Sequence, residues 1–350
     1  MKASSWWQKV LLSLLILYMI TLTNVACVSI SNNPNIQDLT PQQQDWQPTP
    51  SIFNPKQQQA TQSVLSTQQF QITQSVQMTQ DQKANQDILT QQQQATQTAE
   101  VLLQNQQASQ RIDMLNALVW KADFETGNID EWNVHGGFIT QGSSGMYSMV
   151  TPFAHTGNYS VALTIDTKAP SETGAHAAYL FFWDQLPEDA YYYSAWYYIP
   201  SGIIRVKNWW SIMQWKSTYD GNSDHSINVF SIRIEQSNTG FEIGLSHRPS
   251  YIDSDANKKF YRQELVKVPL DEWFQIEAFY KRAQDQSGQI IVWQDGVEIF
   301  NVANVNTVFS DNTIDWSVHS YTDDIEPNPY TIYIDDVTIS KVRVGSNPLP

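Results

Sequence analysis

The stretch IIVWQDGVEIF, Ile290 to Phe300, joins two apolar-rich runs through Asp295-Gly296. That dipeptide accepts positive φ at both central positions of a type I′ turn, the connection that keeps two antiparallel strands in register. A hairpin of this kind needs other strands to cover its apolar face, and the neighbouring sequence supplies them. INVFSIRIEQ, FEIGLSHRP, WFQIEAFYKRA and YTIYIDDVTIS all read as strands, separated by the turn clusters DGNSD, SNTG and DQSG. No long amphipathic helix interrupts them. The pattern predicts an all-β domain over residues 119–345, built as two antiparallel sheets packed in a sandwich.

AYYYSAWYYIPSG, Ala190 to Gly202, sharpens that expectation. Read with period two, Tyr191, Tyr193, Ala195, Tyr197 and Ile199 share one face, and Tyr192, Ser194, Trp196 and Tyr198 the other. Antiparallel sheets commonly have one buried and one solvated face. Rings on both faces therefore predict a central strand of a curved inner sheet, with one row in the core and the other lining a concave groove. In NWWSIMQWKS, Trp209, Ser211, Met213 and Trp215 read as core, which leaves Trp210, Ile212, Gln214 and Lys216 for the groove. Phe230, Ile232 and Ile234 read as inward, with Ser231, Arg233 and Glu235 opposite; Phe241, Ile243 and Leu245 are inward, with Glu242, Ser246 and Arg248 pointing away. Rings that stack on the apolar faces of sugars, interleaved with amide and guanidinium groups that bond hydroxyls, suit a polysaccharide. The expected binding residues are Tyr192, Trp196, Trp210, Gln214, Arg233, Glu235 and Arg248. The same alternation would arise if these faces merely met solvent.

The rest of the chain has a different composition. Ten of the 13 Trp lie beyond Val119, whereas residues 57–110 are mostly Gln, Thr, Ala and Ser without Gly or Pro. Lys2 and Lys9, an apolar run from Val10 to Leu22, and small residues ending at Ala26-Cys27 have the layout of a secretory signal over residues 1–30. Cys27, the one cysteine, stands where a bacterial lipoprotein would be lipidated, although Asn24 occupies the position where Leu is usual. Cleavage without lipidation, or an uncleaved anchor, fits the same residues. Either way the expected setting is extracellular, with membrane attachment only through this N-terminus. A lone cysteine also excludes an intrachain disulfide. Residues 31–56 carry five prolines and read as an extended linker. Residues 57–118 lack breakers, and Leu65, Ile72, Val76, Ile88 and Leu102 recur at helical spacings. A helical stalk of ~90 Å is expected, with self-association through the stripe as one possibility and a disordered Gln/Thr spacer as the other.

Taken in order, ADFETGNIDEW, AHTGNYSVALTI, YYYSAWYYIPSG, WWSIMQWKS, FSIRIEQSNTGFEIGLSHR and VPLDEWFQIEAFYKRAQDQSGQIIVWQDGVEIF resemble the jelly-roll polysaccharide lyases of the heparin lyase I type. These belong to the wider concanavalin A-like lectin/glucanase fold, which LamG-like domains share. The resemblance covers about Lys121 to Val308, and its most particular element is Gln214-Trp215. It implies that Gln214, with Lys216 or Arg233, neutralises a uronate carboxylate during β-elimination, acidifying the neighbouring C5 proton. The family's terminal strand, with Lys, Gly and Tyr at alternate positions, has no counterpart in NPYTIYIDDVTIS, so neither Tyr330 nor Tyr333 inherits the proton-transfer role. Charge also departs from a polyanion-binding protein: 20 basic against 35 acidic residues give a net of −15. Basic residues nonetheless cluster locally at Arg205/Lys207/Lys216, Lys258/Lys259/Arg262 and Lys281/Arg282.

The ends of the domain look like the terminal strands of calcium-bearing carbohydrate-binding jelly rolls. Asp123 and Glu125 in DFETG, with Asp335 and Asp336 in YIDDV, would supply hard oxygen ligands to a structural Ca²⁺. Zinc spacings, nucleophile elbows, phosphate loops and dinucleotide fingerprints are missing from the sequence. The acidic balance argues against nucleic acid. Of the scattered histidines, His225 and His247 flank a predicted hairpin and could face the groove. The sequence favours surface-tethered polysaccharide recognition, because the groove is read directly while a proton-transfer residue is missing. An active lyase on a uronate-containing glycan and a structural adhesin are the alternatives.

Overall fold

A computed structural model describes residues 55–345, apart from 143–144, 220–225, 253–255 and 310–311. The signal-like segment, Cys27, His225 and most of the proline-rich linker lie outside the described residues. The chain divides into two units, 1–87 and 88–350. In the first, the described residues are helical. They belong to an α-helix, Pro55–Ala117, that spans the Gln-rich stretch and continues into the second unit. No helix among the described residues is long and apolar enough to cross a membrane.

The second unit is mostly antiparallel β-sheet. Strands of an eight-stranded sheet run in the order Val297–Val305, Gly288–Gln294, Trp273–Lys281, Ala190–Tyr198, Tyr330–Ser340, Ser160–Ile165 and Met146–Val150, with Leu118–Ala122 also paired to Tyr330–Ser340. A seven-stranded sheet runs Lys259–Tyr261, Gly240–His247, Ser226–Ser237, Trp210–Thr218, Asp315–Thr322, His176–Phe182 and Gly136–Gln141. A third, two-stranded sheet pairs Ile325–Glu326 with Arg205–Val206, one sheet more than the two expected. The hairpin turn forms as its dipeptide requires, with φ 48° at Asp295 and 81° at Gly296.

Residues of both large sheets share one buried cluster. Trp215 of the seven-stranded sheet stacks on Tyr280 of the eight-stranded one at 4.8 Å between ring centroids. Tyr193 meets Trp316 at 5.0 Å, and the Tyr197 hydroxyl donates to the Ile212 carbonyl at 2.9 Å. These contacts explain the inward row of the aromatic strand: Tyr191, Tyr193 and Tyr197 fill the space between the sheets.

The outward row corrects the sequence reading. Ala190–Tyr198 belongs to the eight-stranded sheet, hydrogen-bonded between Trp273–Lys281 and Tyr330–Ser340, and not to the sheet carrying Gln214. Tyr192 and Trp196 thus project on the opposite side of the molecule from Gln214. Tyr192 packs near Phe279 and Trp293, and Trp196 stacks under the His155 ring at 3.7 Å. A loop lies over this end of the face: Phe153 contacts Tyr198, Trp273 and Tyr333. The second aromatic row anchors that loop.

Trp210 is also displaced from its expected position. A register shift between Ser211 and Met213 breaks the period-two pattern, so Trp210, Ile212, Met213 and Trp215 all enter the core. Trp210 donates from its indole nitrogen to Ser320 and meets Tyr330 at 5.7 Å. Its neighbour Trp209 takes the outer position instead.

Candidate functional site

The outer face of the seven-stranded sheet carries the polar chemistry. Across the strands, Phe260 pairs with Ser246, Ser246 with Ser231, Ser231 with Gln214, Gln214 with Ser317, and Ser317 with Phe181. Residues directly opposite in antiparallel strands point to the same side, so these six form one row. A second row runs through Arg233, Ser211, Tyr321 and Ala177. Tyr179 stands opposite His319.

A cavity of about 270 Å³ opens on this face, lined by Trp209, Ser211, Asn228, Ser231, Arg233, Arg248, Lys258 and Tyr321. The Arg233 guanidinium lies 5.4 Å from the Trp209 ring and 5.3 Å from that of Phe260, a cation–π arrangement that holds it over the sheet. Arg248 donates to the Asn228 side-chain carbonyl, and the Asn228 amide in turn donates to Ser231. Three cationic side chains therefore converge in a body of net charge −15, which removes the electrostatic objection to an anionic glycan.

Beneath the cavity lies a buried polar chain. His319 is fully buried, with Nε2 2.8 Å from Ser211 Oγ and Nδ1 3.0 Å from Ser317 Oγ. Burial, helped by the nearby Lys216 charge, holds its imidazole well below the usual range, so it is neutral. The His319 ring meets Tyr179 at 4.9 Å. Burial raises the Tyr179 phenol, which donates to the Gln141 side-chain carbonyl at 3.5 Å and whose ring meets that of Tyr321 at 5.3 Å. Burial also raises Tyr321, but hydrogen bonds from Gln141 and Tyr179 and the charges of Arg248 and Arg233 oppose the rise.

The structure brings together Gln214, Arg233 and Arg248 from the residues read in the sequence. Lys216 is on the same face, its ammonium 5.8 Å from the Phe181 ring, and burial pulls its pKa down. Glu235 lies at the cavity's margin, 3.8 Å from Arg262, its carboxyl raised by burial against the pull of Arg233, Arg262 and Lys258. Tyr192, Trp196 and Trp210 are elsewhere, as described. His247 does not face the cavity: it stacks on core Phe230 at 4.1 Å. Arg205 and Lys207 pair with Asp324, apart from Lys216. Tyr179, His319, Tyr321 and Asn228 escaped the sequence reading, while Trp209 and Ser211, read there as core, line the cavity. The alternation of Ser317, His319 and Tyr321 in DWSVHSYT was the available signal.

The expected calcium ligands border a second cavity of about 270 Å³, lined by Lys121, Asp123, Glu125, Thr156, Gly157 and Asp336 among others. Glu125 accepts from the backbone of Asn158 (2.7 Å) and Tyr159 (2.8 Å), and Asp123 pairs with Lys121 at 2.6 Å. Asp336 accepts from Thr156 Oγ1 at 2.9 Å and lies 2.6 Å from His155 Nδ1. Asp335 is buried behind it, accepting the backbone N–H groups of His155 and Asp336, each at 2.8 Å; burial and the Asp336 charge push its carboxyl up to about 8. The donors suit a hard cation chemically, but their oxygens already accept hydrogen bonds. Among the described residues, no group of three or more His, Cys, Asp or Glu side chains is placed to hold a metal ion.

With this geometry in hand, comparison with known proteins decides the family. A family profile described as "Polysaccharide lyase" matches residues 124–338. The chain belongs to the polysaccharide lyase family. The match does not single out the heparin lyase I type, concanavalin A-like lectins or LamG-like domains to which the sequence was likened. An endo-β-1,4-glucuronan lyase from the fungus Trichoderma reesei has a similar fold, with TM-score 0.52 and 16% identity, covering 66% of this chain and 98% of that one. An alginate lyase from a Chlorella virus gives a TM-score of 0.45 and 14% identity over 64% of this chain and 100% of its own. A search of curated proteins returns no match. The polysaccharide lyase fold, carrying aromatic clusters on both large sheets, is associated with carbohydrate.

Proposed function

We propose that the protein is a polysaccharide lyase that cleaves a uronate-containing glycan by β-elimination on the outer face of the seven-stranded sheet. The observation that carries this reading is the convergence of Arg233, Arg248, Lys258 and Tyr321 around one cavity. Arg233 and Arg248, with the amide of Asn228, would bind the uronate carboxylate and spread the negative charge that develops when the C5 proton is removed. Tyr321, ionised to the phenolate beside the two guanidiniums, would take that proton. The C5–H electron pair becomes the C4–C5 double bond as the C4–O bond breaks, and the departing oxygen takes up the proton that Tyr321 then returns. The Tyr179 ring, 5.3 Å from that of Tyr321, holds it in place, with His319 behind them. Cleavage gains over recognition alone because Tyr321 supplies the group that the terminal strand lacks.

The test is incubation of the full chain with glucuronan and with alginate, following ultraviolet absorbance of unsaturated product ends. Absorbance that Arg233→Ala and Tyr321→Phe abolish supports the proposal. Binding without any absorbance would return the protein to glycan recognition.

Three further readings accompany it. The N-terminal layout supports export and tethering at the cell surface. The helix Pro55–Ala117 would act as the spacer, and its exposed Leu65, Ile72, Val76, Ile88 and Leu102 offer a self-association stripe. A calcium ion held by the expected Asp123, Glu125, Asp335 and Asp336 would brace the paired terminal strands only if these carboxylates rearranged, since no three of them converge and Lys121 holds Asp123.

A further inference from the structure

Glu277 is buried on the outer side of its sheet. Phe274, Ile276, Ala278 and Tyr280 of the same strand enter the core, so Gln275 and Glu277 point away from it. Glu277 is nevertheless 1% exposed. Its cover is the segment that follows the closing strand Tyr330–Ser340. Arg343 donates from Nε to one carboxylate oxygen at 2.8 Å, and the backbone N–H groups of Val344 and Gly345 donate to the other at 2.6 and 3.2 Å. A strap of three residues thus crosses Glu277 and balances its charge.

The receiving pocket comes from other parts of the sheet. Trp293 stands opposite Glu277, and its ring lies 4.3 Å from the Arg343 guanidinium; the Gly296 carbonyl of the hairpin turn accepts from the same group at 3.2 Å. Gln275 donates to Ser194 Oγ at 2.8 Å and to the Gly345 carbonyl at 2.7 Å, while its own oxygen is buried without a partner. The pocket therefore reads, in chain order, a guanidinium, two convergent N–H groups and a carbonyl. Successive N–H groups meet on one oxygen where the backbone turns, and Gly345 supplies the turn with φ 73°. On its other flank the strap borders a cleft of about 870 Å³, shared with Gln107, Arg111 and Met114 of the helix. It has room to lift there.

We propose that Glu277, Trp293, Gln275 and the Gly296 carbonyl form a peptide-binding site, filled by the chain's own strap, whose ligand class is a turned Arg-Xaa-Gly segment. Such a segment supplied by another molecule takes the strap's place. It brings its own guanidinium to Glu277 and leaves no buried charge unpaired, whereas an acidic or apolar segment would strand the carboxylate. Arginine suits the pocket better than lysine, because one planar group meets a carboxylate, a carbonyl and an indole face together. The site belongs to the sheet that does not carry Arg233 and Tyr321, and it is independent of the lyase reading.

Binding of a fluorescent peptide KVRVGS, the sequence of residues 341–346, is measured by anisotropy on three full-length proteins: wild type, Arg343→Ala, and Arg343→Ala with Glu277→Gln. The peptide is expected to bind Arg343→Ala, to bind the strap-filled wild type at least about tenfold more weakly, and to lose at least about thirtyfold in affinity when Glu277 is also changed. A KVEVGS peptide should not bind. Arg343→Ala alone leaves Glu277 unpaired, so a second readout uses the wild type: excess KVRVGS, and not KVEVGS, should speed hydrogen exchange at the Val344 and Gly345 amides. Absence of binding to a folded Arg343→Ala protein, equal binding with Gln at position 277, or strap amides whose exchange ignores the peptide overturns the site.

Discussion

Arg233 and Tyr321 stand on either side of the same residue: each lies directly opposite Ser211, one on each neighbouring strand. A guanidinium and a phenol are thus held two strand spacings apart, about 10 Å between backbones, with their side chains leaning into one cavity. The cation is fixed between two aromatic rings and the phenol by Tyr179, so neither needs to reorganise when substrate arrives.

Removing either group should affect turnover more than folding. Arg233→Ala is expected to lower kcat/KM on a uronate polymer by on the order of 10² to 10³-fold, as when one stabiliser of a developing anion is lost. Tyr321→Phe should lower kcat by on the order of 10² to 10⁴-fold with little change in KM. Initial rates of product absorbance check both. A Tyr321→Phe protein with wild-type kcat would exclude this tyrosine as the proton-transfer group.

The adjacent tryptophans should separate stability from binding. Trp210→Ala opens a void beside Tyr330 and Ser320 and is expected to cost about 3–5 kcal/mol. Trp209→Ala removes a half-buried ring from the cavity wall and should cost less stability while weakening oligosaccharide binding. Urea denaturation and calorimetry on the two variants measure the contrast. The reverse ranking would mean that the register shift after Ser211 is misplaced.

Acid should destabilise the fold through its neutral histidines. Burial holds His247 down at about 4 with help from Lys259, against a hydrogen bond to the Asn306 carbonyl, and the ordinary value is 6.5. Between these values the unfolded chain binds the proton and the folded one does not, so stability is complete above pH 6.5 and falls as pH drops toward 4. The loss from this residue is on the order of 3 kcal/mol, and His319 adds to it in the same direction. His247→Phe keeps the ring on Phe230 and should flatten the slope of denaturation midpoint against pH. An unchanged slope would place the acid sensitivity in the carboxylates.

Calcium should raise the melting temperature, and a chelator should reverse the effect. Glu125→Gln or Asp336→Asn should abolish the response. No shift with calcium in the wild-type chain would leave the Asp123–Glu125–Asp336 cavity as a closed hydrogen-bonded joint between the first and last strands.

Alternation was enough to put Gln214, Arg233 and Arg248 on one face, because each strand keeps its period there. It failed at Trp210, where one shifted residue between Ser211 and Met213 turned the tryptophan inward. It failed differently at Tyr192 and Trp196. Their face was read correctly as distinct from the core, but sheet membership depends on pairing with Trp273–Lys281 and Tyr330–Ser340, far away in sequence. Tyr179, His319 and Tyr321 are short-strand residues whose meeting is likewise a product of long-range pairing. The hairpin at Asp295-Gly296 needed only its neighbours.

Leu118–Ala122 enters the sandwich by pairing with the closing strand Tyr330–Ser340, at the sheet that does not bear Gln214. Beyond that strand, Arg343, Val344 and Gly345 are clasped by the buried Glu277 carboxylate on the same sheet. Both ends of this β-sheet unit are therefore gripped on the sheet opposite the polar face, so neither of its described chain ends crosses the surface that carries Gln214 and Arg233.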